Sequence, residues 1–167
     1  MKGPNLLVLG VALTLTLGVA TAGGSSGSTS KPVKGSVSGS YVENFLIDLL
    51  GGESTGKVTH LGRATLDQSM SGPTFKPSTF DSSGTWTLTV ANGDQLTGTS
   101  SGTCTRSSDF VRATCVLDLI STGGTGRLEG ASATFTATTE ITQVSCAQLK
   151  PFCNGVITSE LVGNLSR

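Results

Sequence analysis

The stretch Ser121-Thr-Gly-Gly-Thr-Gly-Arg-Leu-Glu-Gly-Ala-Ser132 has glycine at positions 123, 124, 126 and 130. Glycine adopts backbone conformations with φ > 0 that other residues resist. The stretch joins two segments in which apolar residues alternate with polar ones, Val111 to Ile120 and Ala131 to Ile141, and this alternation is typical of β-strands. The sequence therefore predicts a strand–turn–strand corner with a glycine kink, of the kind that closes a small antiparallel barrel.

A hairpin is predicted just before this corner. Apolar side chains alternate with threonines over residues 85–91, and Asn92-Gly93 follows at once. Asn-Gly between alternating segments is a strong hairpin signal because both residues accept the positive φ of a tight turn. Asp94 to Cys104 is then the returning strand, and Phe110 to Ser121 is the strand after it.

The remaining strand-like segments bring the count to eight. They are residues 41–50, 57–66, 73–81 (the weakest) and 155–165. Short connections between neighbours favour an up-and-down order. The predicted fold is an all-β, eight-stranded antiparallel barrel over residues 34–167, and a sandwich with Greek-key crossings is the alternative.

The N-terminus resembles an export signal. Lys2 is followed by an apolar stretch from Leu6 to Val19, and Ala20-Thr21-Ala22 then provides the small residues that signal peptidase accepts. A membrane-spanning helix needs roughly 20 apolar residues, and this stretch is shorter. We expect a signal peptide over residues 1–22 with cleavage near Ala22, a flexible linker over residues 23–33, and a secreted protein without a stable membrane span.

Four cysteines in an exported chain suggest two disulfides. Three pairings are possible, and the spacing favours Cys104 with Cys115 and Cys146 with Cys153. A metal site is not expected, because these spacings match no zinc motif and the only histidine is distant.

Charge excludes some classes of partner. Eleven basic and eleven acidic residues give a formal net charge of zero. The chain has no basic stripe interleaved with aromatic residues, so nucleic-acid binding lacks an electrostatic basis. The Gly-Gly-Thr-Gly run lacks the lysine of a phosphate-binding loop and opens onto a strand, and no cofactor is predicted.

Two stretches carry a family resemblance: Thr59-His60-Leu61-Gly62-Arg63 with Ala64-Thr65-Leu66, and the corner from Thr122 to Ala131. They resemble small exported bacterial proteins of the allene oxide cyclase barrel-like family, and the corner is also similar to that of plant dirigent proteins. The likeness covers roughly residues 34 to 166. Its structural motif comprises Gly123, Gly124, Gly126, Arg127 and Gly130.

The resemblance implies a calycin-like barrel able to take an apolar small molecule inside. Plant members of this architecture cyclise or orient hydrophobic intermediates, whereas most exported bacterial members have no assigned activity. No position here matches the catalytic glutamate of the plant cyclases or the acidic residues of dirigent sites. The resemblance therefore implies a fold and no chemistry.

Four residues are candidates for an interior site. Histidine is the usual proton-transfer group at neutral pH, so His60 could transfer a proton or hold a ligand, and alternation places it on the face of Val58. Trp86 is either a stacking platform or part of the core. Glu43 could be a buried carboxylate with a raised pKa, as could Asp48, but the face of their segment is ambiguous.

The other charged candidates are predicted to be structural. Asp118 and Glu140 lie opposite the apolar faces of their strands and are expected in solvent. Arg127 is expected to tie loops together through a carboxylate, with Glu129 as a nearby partner, and binding the anionic head of a ligand is the alternative.

These observations lead to three functional hypotheses. The first is a binding module that holds a small hydrophobic ligand in the barrel. The second is a cyclase or isomerase acting on an apolar molecule, which requires His60, Glu43 or Asp48 to point inward. The third is a structural surface protein with a solid barrel.

Overall fold

The computed structural model describes residues 29–72, 78–146 and 152–167. Its strands form one closed antiparallel barrel, in which each strand pairs with the next and the last returns to the first. This confirms the predicted eight-stranded, up-and-down barrel. The strands are β1 Ser30–Asn44, β2 Leu49–Val58, β3 Gly62–Ser71, β4 Thr79–Val90, β5 Gln95–Arg106, β6 Arg112–Gly124, β7 Ser132–Cys146 and β8 Phe152–Ser166.

The first half of the barrel is divided differently from the prediction. Residues 41–50 and 57–66 were each predicted to be one strand, but each contains a turn between two strands. Conversely, residues 79–90 form the single strand β4, where separate strands were predicted over residues 73–81 and 85–91. These two turns are built on Asp48 and His60, which adopt φ of 51° and 65° without glycine. Such conformations are uncommon outside glycine, so the composition does not reveal them. Residues 73–77 lie outside the described residues.

The predicted linker is too long at its C-terminal end. β1 begins at Ser30 and pairs with β8 from there, so residues 30–33 belong to the barrel. The predicted signal peptide and residues 23–28 lie outside the described residues. Within the ranges that are described, no helix is long and apolar enough to cross a membrane.

The glycine corner and the hairpin are confirmed. β6 ends at Gly124, a 3-10 turn spans Gly126–Leu128, and β7 follows. Gly126 and Gly130 have φ of 58° and 71°, whereas Gly123 and Gly124 have no positive φ and continue the strand. The carboxylate of Asp94 accepts a hydrogen bond from the backbone N–H of Arg127 at 3.1 Å, which joins the hairpin to the corner.

We define the lower end of the barrel as the end that carries this corner, and the upper end as the end where β1 finishes. Leu128 is buried at the lower end. Both predicted disulfides are present near the upper end: Cys104–Cys115 links β5 to β6, and Cys146–Cys153 links β7 to β8.

Inward-facing glycines allow the strands to coil tightly. A Cβ placed on Gly39 would lie 1.9 Å from the carbonyl oxygen of Glu53, and one on Gly84 would lie 1.9 Å from that of Ser69. These approaches leave no room for a side chain. Small inward residues are therefore present, and several of them bring neighbouring strands close together.

Candidate ligand site in the barrel interior

The interior changes from apolar to polar along the barrel axis. The lower half is lined by aliphatic and aromatic side chains: Val33, Val58, Leu88, Leu96, Phe135 and Leu165. Buried polar and charged side chains are found further up: Tyr41, Glu43, Gln68, Ser82 and Arg106. The upper half is therefore the part of the interior that can recognise a polar group.

Gln68, on β3, is the most informative of these side chains. It is 5% exposed, and neither its Nε2 nor its Oε1 has a hydrogen-bond partner among the described residues. A buried polar group without a partner costs roughly 1–3 kcal/mol. By contrast, the buried hydroxyls of Thr139 and Ser159 are 2.9 Å apart and hydrogen-bonded.

The residue opposite Gln68 on β2 has no side chain. The register places Gly52 beside Gln68, and a Cβ on Gly52 would lie 3.4 Å from the Cβ of Tyr41 and 3.5 Å from the Cδ1 of Ile157. Both distances are ordinary van der Waals contacts. Unlike Gly39, Gly52 would therefore accept a methyl group without a clash, next to the unpartnered amide.

Trp86 flanks Gln68 on its other side, on β4. The indole is 2% exposed; its Nε1 donates to the carbonyl oxygen of Thr99 at 3.0 Å, and its ring meets that of Phe135 edge-on with centroids 6.0 Å apart. Because its polar atom is already bonded and its ring is packed, Trp86 belongs to the core. It also forms the wall next to Gln68.

Tyr41 and Glu43 face inward from β1 and are almost fully buried. Burial, and secondarily the carboxylate of Glu43, raises the pKa of Tyr41 to about 12. The phenol is therefore neutral across the physiological range. Glu43 lies near Gly72, since its Oε1 would be 2.7 Å from a Cβ on that glycine. The ambiguity about the face of Glu43 is thus resolved in favour of the interior.

His60 does not belong to this site. It lies in the exposed turn between β2 and β3 at the lower end, where it lines a surface depression of about 330 Å³ with Asn92 and Arg127. The inward position predicted from alternation was wrong, because the strand ends at Val58 and the alternation does not continue through the turn. Asp48 also lies in a turn, half-buried.

Of the other predictions for charged residues, one is confirmed and one is met only in part. Asp118 and Glu140 are exposed, as predicted. Arg127 is exposed and joins the loops through its backbone N–H and the carboxylate of Asp94, whereas a contact with Glu129 was expected.

Sequence reasoning missed Gln68 and Arg106. Gln68 has the same strand phase as the buried Leu66 and Met70, so alternation alone would have placed it inside. The predicted strand from Asp94 to Cys104 stops short of Arg106, which continues the inward phase of Cys104 on β5. Both were overlooked because a polar side chain at a core position is an exception to the usual pattern.

The surroundings of the site provide few other chemical groups. In the described part of the chain, no three His, Cys, Asp or Glu side chains are placed to hold a metal ion. On the outer wall, a depression of about 380 Å³ borders Tyr41, Gly52 and Gln68.

Comparison of the chain with protein-family models, curated proteins and solved structures gives no match.

Proposed function

We propose that this is an exported barrel of the allene oxide cyclase barrel-like, calycin type that binds a small amphipathic molecule in the upper half of its interior. The observation that carries the proposal is the buried amide of Gln68, whose two polar atoms have no partner among the described residues. The two disulfides support export, because disulfides persist in oxidising compartments.

The environment of Gln68 indicates the class of ligand. A primary amide both donates and accepts hydrogen bonds, so it best matches a ligand group that does the same, such as an amide or a hydroxyl. Two of the neighbouring side chains are apolar: Met70 lies two positions further along β3, and Leu50 pairs with Met70 across β2 and β3. A neutral head group on an aliphatic chain fits this combination.

Trp86 reports directly on binding because it is the only tryptophan in the chain and adjoins Gln68 in register. We expect titration with decanamide to change its fluorescence in a saturable way. In the Gln68→Met variant the affinity should fall about tenfold, as expected for the loss of one to two net hydrogen bonds. Leu66→Met, at the preceding inward position of β3, is the matched control and should bind as the wild type does.

A second variant tests the location of the ligand. Gly52→Ala adds a methyl group that fits without a clash but occupies space beside Gln68, so it should weaken decanamide binding while leaving the unfolding midpoint nearly unchanged. If decanamide and decanol leave the fluorescence of the wild type unchanged, the binding proposal is wrong and the solid structural barrel is favoured.

The buried carboxylate of Glu43 favours a second candidate, a cyclase or isomerase. It meets the requirement for an inward acidic group, and a carboxylate could act as a general base. Incubation with acetophenone in D2O would then incorporate deuterium next to the carbonyl in the wild type and not in Glu43→Gln. Equal incorporation in both proteins would rule out this role for Glu43.

A further inference from the structure

The depression that His60 lines lies at the lower end of the barrel, between the turns that connect β2 to β3, β4 to β5 and β6 to β7. Its volume is about 330 Å³. Three apolar side chains contribute to its lining, Leu61, Val90 and Leu128, and all three belong to the hydrophobic core or pack against it. The lower depression therefore has an apolar base on which the body of a ligand can rest.

Hydrogen-bonding and basic side chains supply the rest of the lining, and His60 and Arg127 are the most useful of them. Both are exposed, and they come from two different turns that the fold brings to one depression. A guanidinium presents a planar fork of N–H donors that matches a carboxylate, and an imidazole can provide a further N–H donor. An anionic group in the depression would therefore meet donors from two sides.

Asp94 is the one acidic residue in the described lining, and the turns already hold its carboxylate. Its Oδ2 accepts hydrogen bonds from the Nδ2 of Asn92 at 2.7 Å and from the backbone N–H of Arg127 at 3.1 Å. Its Oδ1 lies only 1.9 Å from the position that a Cβ on Gly126 would occupy. Neither hydrogen bond involves the guanidinium of Arg127, which is left for an external anion.

The lower end also carries an excess of basic side chains, although the formal net charge of the chain is zero. Among the described residues, those in the lower turns or within two positions of a lower strand end include five basic ones: Lys31, Lys57, Arg63, Arg127 and Arg167. The acidic ones by the same criterion are Asp94 and Glu129. Such a distribution attracts anions to this end and raises their local concentration.

We propose that the lower depression binds a small organic anion, whose carboxylate faces Arg127 and His60 while its apolar body rests on Leu128. A neighbouring depression of about 420 Å³ on the outer wall is lined by Lys57 and Arg63. It also offers two cations, but no apolar side chain is among its described lining residues. The lower depression is therefore the better match for an anion that has an apolar body.

The test is a titration of the untagged protein with sodium 2-naphthoate, followed by NMR of the ring Cε1–H of His60. His60 is the only histidine in the chain, so its signal is unambiguous, and we expect it to shift in a saturable way. 2-Naphthamide has the same body without the charge and should bind at least about tenfold more weakly. Acetate has the charge without the body and should also bind at least about tenfold more weakly.

Three variants locate the ligand. Arg127→Gln should weaken 2-naphthoate binding about tenfold or more, and it keeps the backbone N–H that bonds to Asp94. Arg63→Gln is the matched control, because it removes the same charge from the neighbouring depression; salt screens exposed charges, so we expect a change below about twofold. Gln68→Met should leave binding unchanged, because the lower depression does not depend on the interior site.

The proposal is overturned if 2-naphthoate leaves the His60 signal unmoved, or if 2-naphthamide binds as tightly. It is also overturned if Arg63→Gln weakens binding as much as Arg127→Gln, which would indicate diffuse charge attraction, or if Gln68→Met abolishes binding, which would place the ligand in the interior. Because the first measurement uses the wild type, it decides the question even if a variant fails to fold.

Discussion

At the scale of single residues, the interior of this barrel contains polar groups that a purely structural core would not require. Most buried polar groups in proteins are hydrogen-bonded, and the Thr139–Ser159 pair follows that rule. Gln68 departs from it within the described structure. A departure of this kind reduces stability and is consistent with selection for binding.

The first prediction concerns the stability of Gln68→Met. Removing the unpartnered amide while keeping the length of the side chain should raise the free energy of unfolding by about 1–3 kcal/mol, measured by urea denaturation. A variant that is less stable than the wild type would mean that the amide already has a stabilising partner.

The second prediction concerns Tyr41 and alkaline pH. Its pKa is about 12 in the folded protein and about 10 in an unfolded chain. The unfolded state therefore loses this proton first as the pH rises. The contribution of Tyr41 to stability is complete below pH 10 and is lost progressively up to pH 12. Stability should decline less steeply across that interval in Tyr41→Phe than in the wild type, and parallel curves would contradict this account.

At the scale of the strands, glycines at inward positions determine how closely neighbouring strands can approach. They also explain why the strand predicted over residues 41–50 ends before Gly51-Gly52, whereas both glycines lie inside β2. In a strongly coiled strand, glycine marks a bend or a close backbone approach as often as a turn. Composition alone does not separate these roles.

The third prediction compares two glycines. Gly39→Ala places a methyl group 1.9 Å from the Glu53 carbonyl oxygen and should destabilise the barrel by about 1–3 kcal/mol. Gly51→Ala meets nothing within 4 Å and should be neutral or stabilising by roughly 0.5–1 kcal/mol. Thermal unfolding of both variants checks this, and equal losses would contradict the assigned orientation of the two strands.

The fourth prediction concerns the disulfide between β5 and β6. Cys104 and Cys115 are directly opposite in register and 1% exposed. Replacing both by alanine should lower the free energy of unfolding by about 2–3 kcal/mol, because the unfolded chain regains loop entropy when the cross-link is absent. Urea denaturation without reductant checks this, and a change below about 0.5 kcal/mol would show that the bond is not formed in solution.

At the scale of the whole molecule, the sequence predicted the closed barrel but not the candidate site at Gln68. The Asn92-Gly93 hairpin, the glycine corner and both cysteine pairings depend on local chemistry, and all were predicted. Closure of β1 onto β8 gives the alternating segments a common interior. The position of Gln68 could be predicted from strand phase, but its lack of a partner depends on which side chains meet across the barrel.

The proposed binding of an amphipathic molecule at Gln68, in the upper interior of the barrel, is tested most directly by native mass spectrometry of the protein purified after export. We expect an additional mass of a small lipid-like molecule on the wild type, reduced or absent in Gln68→Met and retained in Leu66→Met. A wild-type protein that carries no additional mass, and that gains none when decanamide is added, would contradict it.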